Sequence, residues 1–156
     1  MSPLQEQYDH PGATIDVEVC KIPLQLIPGD EDTENPVLME ILLDLERSQQ
    51  EFGYSHEKVA EAWNALGLIR VHMQRDAKKA KQCHENALRI FQLNCMSAET
   101  AITLNDLGYC YEQLGDQDSA LNVYREAFRI MKELKMAENH PRMLSTQRAV
   151  CRLQRA

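Results

Sequence analysis

Residues 104–127, LNDLGYCYEQLGDQDSALNVYREA, decide the fold, because two helix faces and the turn between them can be lifted from this one stretch. Leu104, Leu107, Tyr111 and Leu114 recur at the three-and-four spacing of a single helix face. Ala120, Val123, Tyr124 and Ala127, with Ile130 beyond, repeat that spacing after a break at Gly115-Asp116. The pattern predicts a helical hairpin. Gly108 and Ala120 are small where larger side chains would hold two helices apart, so a close crossing is expected there.

A second copy lies upstream. Trp63, Leu66 and Gly67 open it as Leu104, Leu107 and Gly108 open the first, and Ala80, Ala87 and Ile90 stand where Ala120, Ala127 and Ile130 stand. The step from Leu66-Gly67 to Leu107-Gly108 sets the period of the repeat. Arg70 replaces Tyr111, His84 replaces Tyr124, and the upstream turn has one extra residue. A third copy opens at His140-Pro141, where Val150-Cys151 takes the place of the Leu-Gly pair after a slightly longer step. It reads as a terminal helix without its partner. The spacing Leu-x2-Leu-Gly-x2-Tyr followed by Ala-x3-Tyr resembles the tetratricopeptide pattern, a helix-turn-helix repeat with a usual length of about 34 residues. The longer period here, and the sequence AENHP before the third copy, resemble the long class found in kinesin light chains. That resemblance implies an all-α fold, a short right-handed superhelical solenoid of about six helices.

Composition agrees with one domain of ordinary size. The chain has 156 residues, 44% hydrophobic and 26% charged, and no apolar run approaches the roughly 20 residues of a membrane helix. The opening MSPLQEQYDHPG has neither a basic nor an apolar region, so no secretory signal is expected; import by a removed presequence stays open. Five scattered cysteines without a Cys-x2-Cys pair point to reduced thiols in an intracellular, cytoplasmic setting, where they would serve as core filler.

Charge divides the chain in two. Residues 1–35 hold eight acids against Lys21 alone, the whole of the net charge of −7, while the remainder balances 16 basic against 16 acidic side chains. Ile15, Val17 and Val19 alternate with Asp16 and Glu18 at the period of a strand, limited by Pro23 and Pro28 to an edge or extended segment. This acidic arm has too few apolar residues to fold alone; it is either disordered or laid against the helices. A helical domain over 36–156 follows. Asn35-Pro36 is an N-cap with proline in the first turn, and Val37, Ile41, Leu42 and Leu45 form the stripe of a leading helix over 36–52. Repeat 1 covers 56–95 with helices over 56–74 and 77–94. Repeat 2 covers 97–136 with helices over 97–114 and 117–136. A capping helix over 141–155 lies within 140–156.

In a solenoid, function resides on the concave surface lined by equivalent positions of each first helix. Here those are Glu61, Asn64, Leu68, Val71 and His72, then Ile102, Asn105, Tyr109, Glu112 and Gln113, then Ser145, Arg148, Arg152 and Arg155. The resemblance implies that Asn64 and Asn105, in the same register, bind the backbone of an extended peptide. An amide offers a donor and an acceptor to peptide groups of any sequence; the alternative is that each asparagine only caps or solvates its helix. The carboxylate clamp of some tetratricopeptide domains needs a lysine and an asparagine one turn apart on the first helix, where Asn64 and Leu68 stand, which argues against it. Arg142, Arg148, Arg152 and Arg155 follow the last acid, Glu138, and make a basic stripe that would meet carboxylates or phosphate on a partner, or merely solvate the end of the solenoid.

Catalytic chemistry finds little support. His56, His72, His84 and His140 fall in no metal-binding spacing, and adjacent Cys83 and His84 point about 100° apart on a helix, too far to act as a nucleophile and base. No glycine-rich phosphate loop occurs, and a net charge of −7 disfavours nucleic acid. The sequence is therefore read as a non-enzymatic adaptor module without metal or cofactor. It would bind a protein or peptide, an acidic one at the arginine stripe, in the concave groove. A self-assembling unit, dimeric through the arm or the terminal helix, is the alternative, and a small enzyme with an unrecognised site a more distant one.

Overall fold

A computed structural model describes residues 35–156, and among them six helices and no strand are found. The acidic arm, with its alternation at Ile15, Val17 and Val19, lies outside the described residues but for Asn35. The helices are α1 (Pro36–Phe52), α2 (Glu57–His72), α3 (Ala77–Leu93), α4 (Ser97–Gln113), α5 (Gln117–Glu133) and α6 (Pro141–Arg155). None is long and apolar enough to cross a membrane.

Local chemistry fixes most of the helix starts. Asn35 Oδ1 accepts the amides of Val37 and Leu38 at 3.0 and 3.2 Å, with Pro36 in the first turn. Asp76 and Asp116 cap α3 and α5 through the amides of Lys79 and Ser119. His56 and His140 do the same for α2 and α6, each Nδ1 accepting an amide at 3.2 Å. A side-chain acceptor at these places satisfies amides that have no partner within the helix. Among the described helices only α4 begins without such a cap, at Met96.

Left-handed residues mark where one helix gives way to the next. Arg75 (φ 54°) and Gly115 (φ 79°) occupy the turns inside the two hairpins, and Cys95 (φ 56°) and Lys135 (φ 54°) the turns after them. The same length of chain separates the members of each pair, so the backbone repeats as the sequence does. The extra residue of the first copy sits in its turn, which runs from Met73 to Asp76 where the second runs from Leu114 to Asp116.

Each helix packs chiefly on its neighbours in sequence, α1 on α2, α2 on α3, and so on to α6. One apolar cluster joins α1, α2 and α3 around Leu38, Leu45, Trp63, Leu66 and Phe91; another joins α3 to α6 around Leu104, Leu107, Met131 and Met143. Two stripes need correction. In α1 the buried face is Leu38, Leu42 and Leu45, with Ile41 at its edge, while Val37 is 44% exposed. In α4 the last member, Leu114, is 45% exposed because the helix has already ended.

The hairpin crossing also differs in detail. A Cβ built on Gly108 would stand 2.7 Å from Cε1 of Tyr124, and one on Gly67 would stand 2.6 Å from Cε1 and Nε2 of His84. Each glycine thus seats a ring from the second helix of its hairpin against the backbone of the first. Ala120, fully buried, lies in a cluster with Tyr124, Ala149 and Leu153 against which Tyr111 of α4 also packs, so it too sits where α4, α5 and α6 meet. The cysteines also divide: Cys83 and Cys110 are buried as core filler should be, whereas Cys95 and Cys151 are exposed.

Candidate functional site

The first helices of the repeats, α2, α4 and α6, share a face, and a groove of about 310 Å³ lies along it. Leu68, Val71 and His72 of α2, Asn105, Asp106 and Tyr109 of α4, and Ser145, Ala149 and Arg152 of α6 line it, with the rings of His84 and Tyr124 behind. Helical spacing explains the sets: 68, 71 and 72, like 105, 106 and 109, fall on one side of a 3.6-residue turn. Leu68 and Tyr109 remain 38% and 39% exposed, and the Tyr109 ring stacks on His72 with centroids 5.6 Å apart.

A row of polar ties crosses from one repeat to the next. Asn64 Nδ2 donates to Thr103 Oγ1 at 2.8 Å, and the Thr103 hydroxyl donates in turn to the Glu99 carbonyl at 2.8 Å. The Asn64 oxygen meets His84 Nδ1 at 2.9 Å. With the amide nitrogen engaged by Thr103, that oxygen must accept, so His84 carries its proton on Nδ1. One repeat further, Asn105 Oδ1 lies 2.7 Å from the Thr146 hydroxyl. Glu112 accepts from Tyr124 Oη at 2.8 Å and from Arg152 at 2.5 and 3.0 Å. Asp106 faces Arg142 at 3.6 Å.

Titration follows these contacts. Burial, with a smaller push from His72, lowers His84 to about 4, so its imidazole is neutral. Burial raises the Asp106 carboxyl against the opposing pull of Arg142, and pushes the Cys110 thiol up to about 12. The Arg152 hydrogen bonds hold Glu112 below its ordinary value. Burial first, then the bond to Glu112, raises Tyr124.

Of the residues singled out from sequence, Leu68, Val71, His72, Asn105, Tyr109, Ser145 and Arg152 come together in the groove. Asn64 does not line it and has both ends of its amide engaged inside the fold. Glu112 is held behind Arg152, and Gln113, Arg148 and Arg155 are exposed without lining the groove. Arg148 and Arg155 stand four and three residues from Arg152, on the adjoining surface of α6. Sequence reasoning missed Asp106, Thr103 and Thr146. Their partners lie on other helices, in the neighbouring repeat, and only the stacking register reveals them.

Stacked helical hairpins with an open face along their first helices define a helical-repeat solenoid, in which each repeat packs on its neighbours and leaves one face of the stack open. Residues 58–133 match the family model of the tetratricopeptide repeat, so this part of the chain consists of tetratricopeptide repeats, which generally mediate protein–protein interaction. No curated protein matches the chain closely enough to count as a relative.

Proposed function

We propose that the chain is a non-catalytic adaptor that holds a segment of a partner protein along the face of α2, α4 and α6. The groove carries this reading: about 310 Å³ of open space, with the half-exposed Leu68 and Tyr109 beside polar Asn105, Asp106 and Arg152. Apolar contact with a few placed polar groups is how such surfaces gain both affinity and orientation. Asn105 is the asparagine placed to meet a bound backbone, whereas Asn64 serves the fold. At the rim Arg148 and Arg155 would meet carboxylates of an acidic stretch. The wide spacing of Gly67 and Gly108 supports the long-period class, and the scattered cysteines support a reducing, cytoplasmic compartment.

A second reading, self-association, draws on the charge split: residues 1–34 carry −7 and could occupy the same arginines in one copy or between two.

The test is a comparison of the full chain with its Leu68→Ala, Tyr109→Ala double variant in affinity capture from the native source. Both side chains are exposed, so helical circular dichroism should be unchanged. Partners held by the parent should be lost or bind at least tenfold more weakly to the variant; equal capture would remove the groove as the site.

A further inference from the structure

The groove has polar groups of both kinds, but its donors and its acceptors are not equally free. Arg152 is bonded to Glu112 through two nitrogens. Among the acceptors, Asp106 lines the groove with its side chain only 15% exposed, and its sole ion-pair contact among the described residues, Arg142, stands at 3.6 Å, beyond a good hydrogen bond. Burial is the dominant influence on that carboxyl and raises it, the mark of a charge removed from water faster than it is compensated. His84, fully buried behind the groove, donates through Nδ1 and turns its Nε2 onto the backbone of Gly67, out of an occupant's reach, so Asp106 is the acceptor left to an occupant on this side. An occupant that pairs with this carboxylate therefore brings positive charge.

The walls narrow the chemistry further. Leu68, Val71 and the Tyr109 ring offer apolar and aromatic surface beside Asp106. A long aliphatic stem ending in a planar cation matches that sequence of contacts, since guanidinium stacks on aromatic faces and pairs with carboxylates through two parallel donors.

Resting on the adaptor reading above, we propose that the pocket between α2, α4 and α6 receives an arginine side chain of the bound segment, paired with Asp106 and lying against Tyr109. The rim and the pocket then select opposite charges: Arg148 and Arg155 outside take acid, and Asp106 inside takes base. The preferred segment has an arginine flanked by acidic residues rather than a uniformly acidic run.

Fluorescein-labelled degenerate heptapeptide pools, with arginine, glutamate or norleucine fixed at the central position, test this by anisotropy on the full chain. The arginine pool should bind at least tenfold tighter than either other pool. Asp106→Asn, nearly isosteric, should bring it down to the norleucine pool, whereas Arg142→Gln, which removes the competing cation, should tighten it. Glu40→Gln on α1 changes net charge equally and should leave the ranking as it was, separating the pocket from general attraction to an acidic protein. A glutamate or norleucine pool that binds as well as arginine and is weakened by Tyr109→Ala overturns the arginine assignment while the groove reading stands. No saturable binding by any pool overturns both.

Discussion

His84 is a base held neutral inside the first hairpin, where the second hairpin has Tyr124. The ring rests on Gly67, engages Asn64 and is shut away from solvent. Its folded pKa, about 4, lies below the ordinary 6.5, so between those values the unfolded chain binds the extra proton. Stability from this residue is complete above pH 6.5 and is lost as pH falls toward 4, by about 3 kcal/mol for such a shift. Urea midpoints should fall across that window in the parent. His84→Phe should start from a lower midpoint at neutral pH, having lost the Asn64 bond, and show a flatter dependence between pH 6.5 and 4. A variant as steep as the parent would assign the acid sensitivity to other groups. A sharper steric test is Gly108→Ala, whose methyl would press on the Tyr124 ring at 2.7–2.9 Å. Overpacking of this kind costs about 1–3 kcal/mol, read as a lowered thermal midpoint. Sequence spacing points to Gly108 as a crossing point, because a Leu-Gly pair recurs. It does not say which ring lies on the glycine, because that depends on helix rotation rather than on period.

Helices are the most legible part of the chain, since their ends are written in local chemistry. Asn35-Pro36, Asp76, Asp116 and His140-Pro141 each announce a start close to the amides they satisfy. The stripe of α1 is harder. Val37 and Leu38 are adjacent and both apolar, and only packing against α2 decides that Leu38 turns inward. The turns allow a direct check of the backbone repeat. Gly115 adopts φ 79° with open space around it, so Gly115→Ala suffers conformational strain alone, about 1 kcal/mol. Cys95 holds a left-handed conformation (φ 56°) at an exposed site, and Cys95→Gly should relieve it and stabilise by up to about 1 kcal/mol. Opposite shifts in melting temperature are expected; shifts of the same sign would mean that side-chain contacts at these turns outweigh the backbone.

At the scale of the molecule, charge and groove meet. The ties that cross repeats are invisible to periodicity, which reports what a helix repeats and not what it touches. Asn64 and Asn105 share a register, yet one is closed by Thr103 and His84 and the other faces the groove. The arginine stripe is partly legible: Arg152 and Arg142 are drawn to Glu112 and Asp106, while Arg148 and Arg155 form no ion pair among the described residues. Residues 1–34 hold the entire net charge of −7, and a chain of that length reaches at most roughly 110 Å. Reach therefore permits contact with α6, and screening beyond about 8 Å at physiological salt makes such contact sensitive to ionic strength. Small-angle scattering of the full chain should show a smaller radius, or a dimer, at low salt than at high salt. Arg148→Glu with Arg155→Glu should remove that difference; a salt response identical in parent and variant would free the arginines from any role in it.

Polar ties run along the groove edge of the stack, Asn64 to Thr103 and then Asn105 to Thr146, joining α2 to α4 and α4 to α6. Pulled at its ends, such a stack carries the load through its layers in series, and bending strains the tied edge against the apolar clusters behind it. The stack is in this sense an elastic strip with side-chain bonds along the edge that carries the groove. The groove lies on the same edge, so its width is the strain coordinate of that strip. A segment that grips α2, α4 and α6 together more tightly at one bend draws the strip toward that bend, and a force that opposes the bend then loosens the grip.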